Sequence, residues 1–157
     1  PHIRLEVRGN SSSWPDAVVS EMSELGLLLP FVPRQELTEW LESADGFLVT
    51  QSFDEGEQRL MSTNFPSKLS EFAQFGKPLI LWGPAKATGP QWGRDTEQGL
   101  VVDEENPDQL RIALERLCGD EDEQKRLSST ACSAATGEFD PELIQSQFMK
   151  YLSGIIS

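Results

Sequence analysis

The sequence of 157 residues predicts an α/β fold, a Rossmann-like parallel sheet with helices on both faces. Three observations predict it. Compact apolar runs alternate along the chain with segments that carry helical periodicity, the order of consecutive βαβ units. The helical segments are punctuated by proline near their starts and glycine at their ends. A length of 157 residues with 38% hydrophobic content suits one domain with a real core.

Taken in order, "HIRLEVRG" (residues 2–9) sets Ile3, Leu5 and Val7 against charged neighbours, as a half-buried strand does. "SSSWPDAVVSEMSELG" reads as a helix with Pro15 near its start and Gly26 at its end. "LLLPFV" is a short strand broken by Pro30, and "RQELTEWLESADG" brings Leu37, Trp40 and Leu41 to one helical face. "FLVT" is a buried strand. The polar segment "QSFDEGEQRLMSTN" leads into a helix over residues 66–75, followed by the strand "KPLILW". The Gly/Pro-rich "GPAKATGPQWGRDTEQ" reads as a loop before the strand "GLVVDE". "NPDQLRIALERLCG" has Asn106 as N-cap, Pro107 at the first position, Gln109 completing a capping box and Gly119 as the stop. Asp120 and Glu123 stand in the same relation at the start of the next helix. "DPELIQSQFMKYLSGI" is a last helix expected to bury Leu143, Ile144, Phe148 and Leu152.

Composition removes several functions. A formal charge of −13 opposes nucleic acid or an anionic membrane as partner, because phosphate binding needs clustered Lys and Arg. A small anion is still admissible, since one lysine and a helix end outweigh a diffuse negative field locally. Cys118 and Cys132 have no CxxC spacing, and the sole histidine is His2, so a zinc site, a Ser-His-Asp triad or a Cys-His pair is not expected. Two thiols without a framework suit a reducing, cytoplasmic compartment, where they act as small helix-packing residues. No apolar run approaches the roughly 20 residues of a membrane span, and no signal peptide is visible. The Asn10-Ser11-Ser12 sequon is too short a motif to weigh. The chain opens on Pro1 directly into a strand-like run, the expectation being a piece of a longer protein.

The helix of "NFPSKLSEFAQFG" is the unusual one. Leu69, Phe72 and Ala73 form its buried face, and Gly76 stands where a left-handed C-terminal residue is wanted. With Pro66 as first helical residue, the N-cap is Phe65, which has no side-chain oxygen. The first-turn amides then lack a cap, and Lys68 lies beside them, an arrangement suited to an anion. The competing reading has Asn64 or Thr63 as cap and Lys68 with Glu71 as a surface i, i+3 pair. No G-x-G-x-x-G follows the first strand, and no GKS or GKT occurs, so NAD and ATP by those routes are disfavoured.

The ordered series "ADGFLVTQSF", "FPSKLSEFAQFGKPLILWGP", "GLVVDEENPDQLRIALERL" and "FDPELIQSQFMKYL" resembles the C-terminal domain of GT-B glycosyltransferases, in particular the retaining family 4 type. The resemblance runs from about Leu28 to the end. It implies the C-terminal half of a GT-B fold lacking its first βα unit, present here as a single nucleotide-sugar-binding domain over residues 1–157. It implies a nucleotide-sugar donor as ligand, an N-terminal GT-B domain of the same chain as partner, and an acceptor of unknown kind held there. In the family the helix matching residues 66–75 faces the diphosphate, and its glutamate, here Glu71, bonds the ribose hydroxyls. Donor binding is thereby assigned to Thr63, Asn64, Ser67, Lys68 and Glu71.

Two departures stand out. Eight positions before Glu71 the family often has a second glutamate beside the donor sugar; here that position is Thr63. The basic phosphate-binding pair of the first βα loop has no counterpart in this chain. The isolated 157 residues are therefore expected to transfer no sugar. Metal is not expected either: the D-x-D pair of Asp120 and Asp122 opens a helix, where Asp120 serves as N-cap. Asp54, Glu55 and Glu57 form a carboxylate cluster or, more simply, a solvated acidic loop. Trp14, Trp40 and Trp82 read as packing residues and Trp92 as the better candidate for stacking. A different class of function is a non-catalytic α/β module whose acidic surface binds a protein.

Overall fold

The structure, a computed structural model, describes residues 2–9, 12 and 14–155. Asn10 and Ser11 of the sequon lie outside the described residues. The chain divides into two compact units, Pro1–Ser43 and Ala44–Ser157.

The first unit contains β1 (Val7–Arg8), α1 (Asp16–Glu24), β2 (Leu28–Leu29) and α2 (Leu37–Glu42). β1 and β2 are parallel, with Val7 opposite Leu28 and Arg8 opposite Leu29. The strand expected over residues 2–9 contracts to two residues, Val7–Arg8, and Ile3 and Leu5 are exposed. α1 starts after Pro15, and Gly26 turns the chain with φ +67°, a conformation that glycine adopts without Cβ strain. Trp40 is a packing residue: its Nε1 donates to Glu6 Oε2 at 2.9 Å, and the Arg8 guanidinium lies 5.2 Å from its ring centre.

The second unit contains β3 (Phe47–Thr50), α3 (Gln58–Met61), α4 (Ser67–Ala73), β4 (Leu79–Trp82), α5 (Thr88–Thr96), β5 (Leu100–Val102), α6 (Pro107–Gly119), α7 (Glu121–Thr136) and α8 (Pro141–Ile155). Its sheet has the order β3-β4-β5, all parallel. Leu48, Ile80 and Leu100 are register partners on one face, where Ile80 packs with Leu117 of α6 and Leu127 of α7. On the other face Phe47 stacks on Phe72 of α4 at 4.4 Å, and α5 approaches so closely that a Cβ at Gly93 would meet Val101 Cγ2 at 2.9 Å. Helices therefore flank the sheet on both faces, the α/β, Rossmann-like arrangement expected. Fully buried Leu69, Leu79, Leu81 and Leu127 fill the layers, each worth roughly 1.5–3 kcal/mol of burial.

Three local expectations are corrected. The polar segment before α4 contains a helical turn, α3, and the Gly/Pro-rich loop contains α5. Pro90 is tolerated there because it sits in the first turn, where its missing N–H has no intrahelical partner to lose. The third correction is α8. Leu143, Ile144, Phe148 and Leu152 are exposed, and no residue of the helix is buried, although its periodicity is sound. The helix is amphipathic but uncovered. Cys118 and Cys132 are also exposed rather than packed, yet Cys132 constrains Gly76: a Cβ there would come within 2.6 Å of its Sγ, and φ is +60°.

Candidate functional site

In open parallel sheets ligands bind beyond the carboxyl ends of the strands. At that end of β3 the structure has a groove of about 470 Å³ between Thr50 and the start of α4, lined by Leu48, Val49, Thr50, residues 64–68 and Phe72. The groove lies wholly within the second unit. Leu48, Val49 and Phe72 supply apolar wall, while Thr50, Asn64, Ser67 and Lys68 bring polar groups to its mouth.

The helix start differs from expectation by one residue. Pro66, at φ −68° and ψ 111°, is the N-cap and Ser67 the first helical residue. The physical point survives the shift, because proline offers no side-chain acceptor and no side-chain cap bond forms. Neither Thr63 nor Asn64 caps the helix. The Thr63 hydroxyl donates back to the carbonyls of Arg59 and Leu60, at 3.1 and 3.3 Å. The Asn64 carbonyl accepts from Thr88 Oγ1 at 2.8 Å and from Gln51 Nε2 at 3.4 Å.

Of the five residues assigned to donor binding, three line the groove together: Asn64, Ser67 and Lys68. Thr63 lies outside the lining, turned toward α3. Glu71 also lies outside it and pairs with Lys68, Oε2 to Nζ at 2.7 Å, the i, i+3 surface contact of the competing reading. Both side chains are largely solvated, at 60% and 43% exposure, so the pair is loosely held and costs little to open.

Other candidates resolve differently. Trp92 is buried in α5, its Nε1 donating to Glu138 Oε2 at 2.8 Å and its ring packed with Phe65 and Phe139. It is a packing residue and not a free stacking platform. Trp82 donates to the Glu104 carbonyl at 3.0 Å and lies against Phe53, whereas Trp14 is exposed. Asp54 closes a turn, Oδ1 accepting from Gly56 N at 2.7 Å, and Glu55 and Glu57 are solvated beside it. Among the described residues no three His, Cys, Asp or Glu are grouped as a metal site requires, and no helix is long and apolar enough to cross a membrane.

A second groove, of about 350 Å³, borders the edge strand β5 and contains Arg94 and Arg126. Both guanidinium groups are already engaged. Arg94 pairs with Asp103 at 2.7 Å and also donates to the Ala85 carbonyl. Arg126 binds Glu123 through two nitrogens, which holds the Glu123 carboxyl below its ordinary range and raises the guanidinium pKa. Cations neutralised in this way leave little field for a further anion.

Sequence reasoning gave Gln51 no role and read the segment of α5 as a loop. No local signal marks Gln51, whose burial appears only in the folded chain.

Solved structures of Anabaena HepE are similar to this chain: in the complex with UDP the identity is 19%, the TM-score 0.69, and the match covers 92% of this chain and 38% of that one. For the UDP-glucose complex the values are 18%, 0.68, 92% and 38%, and for the complex with UDP and glucose 18%, 0.70, 98% and 41%. The chain thus spans about 38–41% of the length of the solved proteins it matches. At this identity the likeness establishes the fold. No protein-family model matches the chain, and no curated protein does.

Proposed function

We propose that the chain is the C-terminal, donor-binding domain of a GT-B glycosyltransferase of the retaining family 4 type, and that it holds a nucleotide-sugar donor in the groove between β3 and α4. One observation carries the reading: a fold shared with a protein solved with UDP and UDP-glucose has its groove at the strand carboxyl end, with Asn64, Ser67 and Lys68 at the mouth. Lys68 and the uncapped first-turn amides face the diphosphate, and the ribose takes Glu71 from its loose pairing with Lys68. Departure of the nucleoside diphosphate is stabilised electrostatically by these groups, without a metal ion.

Transfer requires an N-terminal domain of the same protein, which brings the acceptor and the remaining phosphate contacts. The uncovered apolar face of α8, with Leu143, Ile144, Phe148 and Leu152, supports a further packed surface in the whole protein. The isolated 157 residues fold and transfer no sugar. The protein works in the cytoplasm, where free, exposed Cys118 and Cys132 remain reduced.

The test is calorimetric titration of the protein with UDP in a strong chelator. Saturable binding that persists in EDTA supports the reading. Absence of binding, or binding that returns only with Mg²⁺ or Mn²⁺, overturns it. Turnover of a nucleotide sugar into glycoside by the 157 residues alone would overturn the division of labour between domains.

A further inference from the structure

Gln51 is the one buried polar residue of the core among those described. It follows β3 directly, and its backbone N–H continues the sheet by donating to the Trp82 carbonyl at 2.9 Å. Its carboxamide is oriented by its neighbours. Oε1 accepts from the Gly89 N–H at 2.7 Å, a strong contact that only an oxygen can make. Nε2 consequently faces acceptors: the Met61 carbonyl at 3.3 Å, the Asn64 carbonyl at 3.4 Å and Thr88 Oγ1 at 3.4 Å, with Met61 Sδ at 3.9 Å. Thr88 Oγ1 in turn donates to the same Asn64 carbonyl at 2.8 Å.

One side chain therefore joins the end of α3, the segment before α4 and the start of α5. Two glycines make room for it. A Cβ at Gly83 would lie 3.0 Å from Gln51 Cβ, and one at Gly89 would lie 2.7 Å from Gln51 Oε1 and 3.3 Å from Pro66 Cγ. The Asn64 carbonyl is the last backbone acceptor before Phe65 and Pro66, so its direction sets the path of the residues that line the groove.

We propose that Gln51, acting with Thr88, is a positioning residue of the groove: together they fix the Asn64 peptide and thereby where Pro66, Ser67 and Lys68 stand. This rests on the donor-binding reading of that groove. Neither side chain lines the groove, so both act through the Asn64 carbonyl. A leucine at position 51 leaves the Gly89 N–H without its partner and removes the longer of the two bonds to the Asn64 carbonyl, and a valine at 88 removes the shorter one while keeping the shape. Serine at 88 restores the hydroxyl.

UDP titration of the protein and of Gln51→Leu, Thr88→Val, Thr88→Ser and Lys68→Ala, each confirmed folded by circular dichroism, tests the proposal. Gln51→Leu and Thr88→Val should each weaken UDP about 3- to 10-fold, the range for a lost hydrogen bond, while Thr88→Ser stays within about twofold of the parent. If Gln51→Leu fails to fold, the Thr88 pair decides. Parental affinity in Thr88→Val, or equal loss in Thr88→Ser and Thr88→Val, overturns the positioning role. If the parent does not bind UDP, or Lys68→Ala binds as the parent does, the groove reading itself fails and this inference fails with it. Loss in Lys68→Ala alone, with both other positions neutral, leaves the groove standing and refutes only Gln51 and Thr88.

Discussion

α4 and α6 both begin just past the carboxyl end of a parallel strand, and they treat their first-turn amides in opposite ways. α6 has Asn106 as N-cap, whose Oδ1 accepts from Asp108 N at 2.9 Å, and Pro107 in the first position removes one donor altogether. α4 has Pro66 as N-cap and no side-chain cap bond. The first start is closed by its own chain. The second has Lys68 beside it and a groove of about 470 Å³ in front. A cap contributes about 0.5–2 kcal/mol to stability, so a helix start without one gives up that stabilisation and leaves donors for another partner. The contrast separates two kinds of helix start, α6 closed by its own chain and α4 left open toward the groove in which a donor is proposed to bind.

The largest effect expected from that contrast is on ligand affinity. Lys68→Ala should weaken UDP by about 1–3 kcal/mol, the scale of a charge-assisted hydrogen bond, with little change in melting temperature. The loss should shrink at high salt, because the Lys68 side chain is 60% exposed. Calorimetry at low and high ionic strength measures both. UDP affinity equal to the parent's would make Lys68 and Glu71 an ordinary surface pair.

The capped start should respond in stability alone. Asn106→Ala should cost about 1 kcal/mol in urea denaturation and leave UDP binding untouched. An equal loss of UDP affinity would erase the distinction between the two helix starts.

Glu71→Gln should separate the sugar from the phosphate. A penalty of about 0.5–1.5 kcal/mol is expected for ribose ligands, with a smaller one for 2′-deoxyribose ligands, since it weakens an acceptor and leaves the phosphate contacts in place. Equal penalties on the two ligands would remove Glu71 from the ribose.

The smallest effect concerns α7, a third start, which is capped by its own chain. Asp120 Oδ1 accepts from Glu123 N at 2.9 Å, and the Glu123 carboxylate is held by Arg126. The Arg126 hydrogen bond lowers the Glu123 pKa, so its stabilisation is present above the ordinary carboxylate range and is lost as pH falls through the lowered value. Arg126→Ala should cost about 0.3–0.5 kcal/mol near neutral pH, as exposed helix pairs do, and less in strong acid, where only its bond to the Glu97 carbonyl remains. Urea titrations at the two pH values provide the check; a cost that grows in acid would assign the stabilisation elsewhere.

Much of this molecule was legible in its sequence where the deciding interactions are local. Strands β3, β4 and β5 follow from the apolar runs, and the caps Asn106 and Asp120 act on amides two or three residues away. The missing side-chain cap of α4 was legible for the same reason, although Pro66, with ψ at 111°, is extended and not helical, which moves the boundary by one residue. The groove was legible only in part: Asn64, Ser67 and Lys68 meet there, while Thr63 and Glu71 turn to partners on their own segment.

What the tertiary structure decided is everything that depends on a distant partner. α7 and α8 have similar lengths and both are amphipathic, yet Leu127, Ala131 and Ala134 of α7 are buried while no residue of α8 is. Periodicity records that a helix has an apolar face, and only packing says what covers it. α5 escaped notice because helix propensity penalises Gly and Pro, whereas Gly89 and Gly93 are there to let Gln51, Pro66, Leu81 and Val101 come close. Gln51 itself reads as the first residue of a polar loop. Its role follows from residues 10 to 38 positions away that the fold brings within hydrogen-bonding distance, a relation that no local pattern encodes.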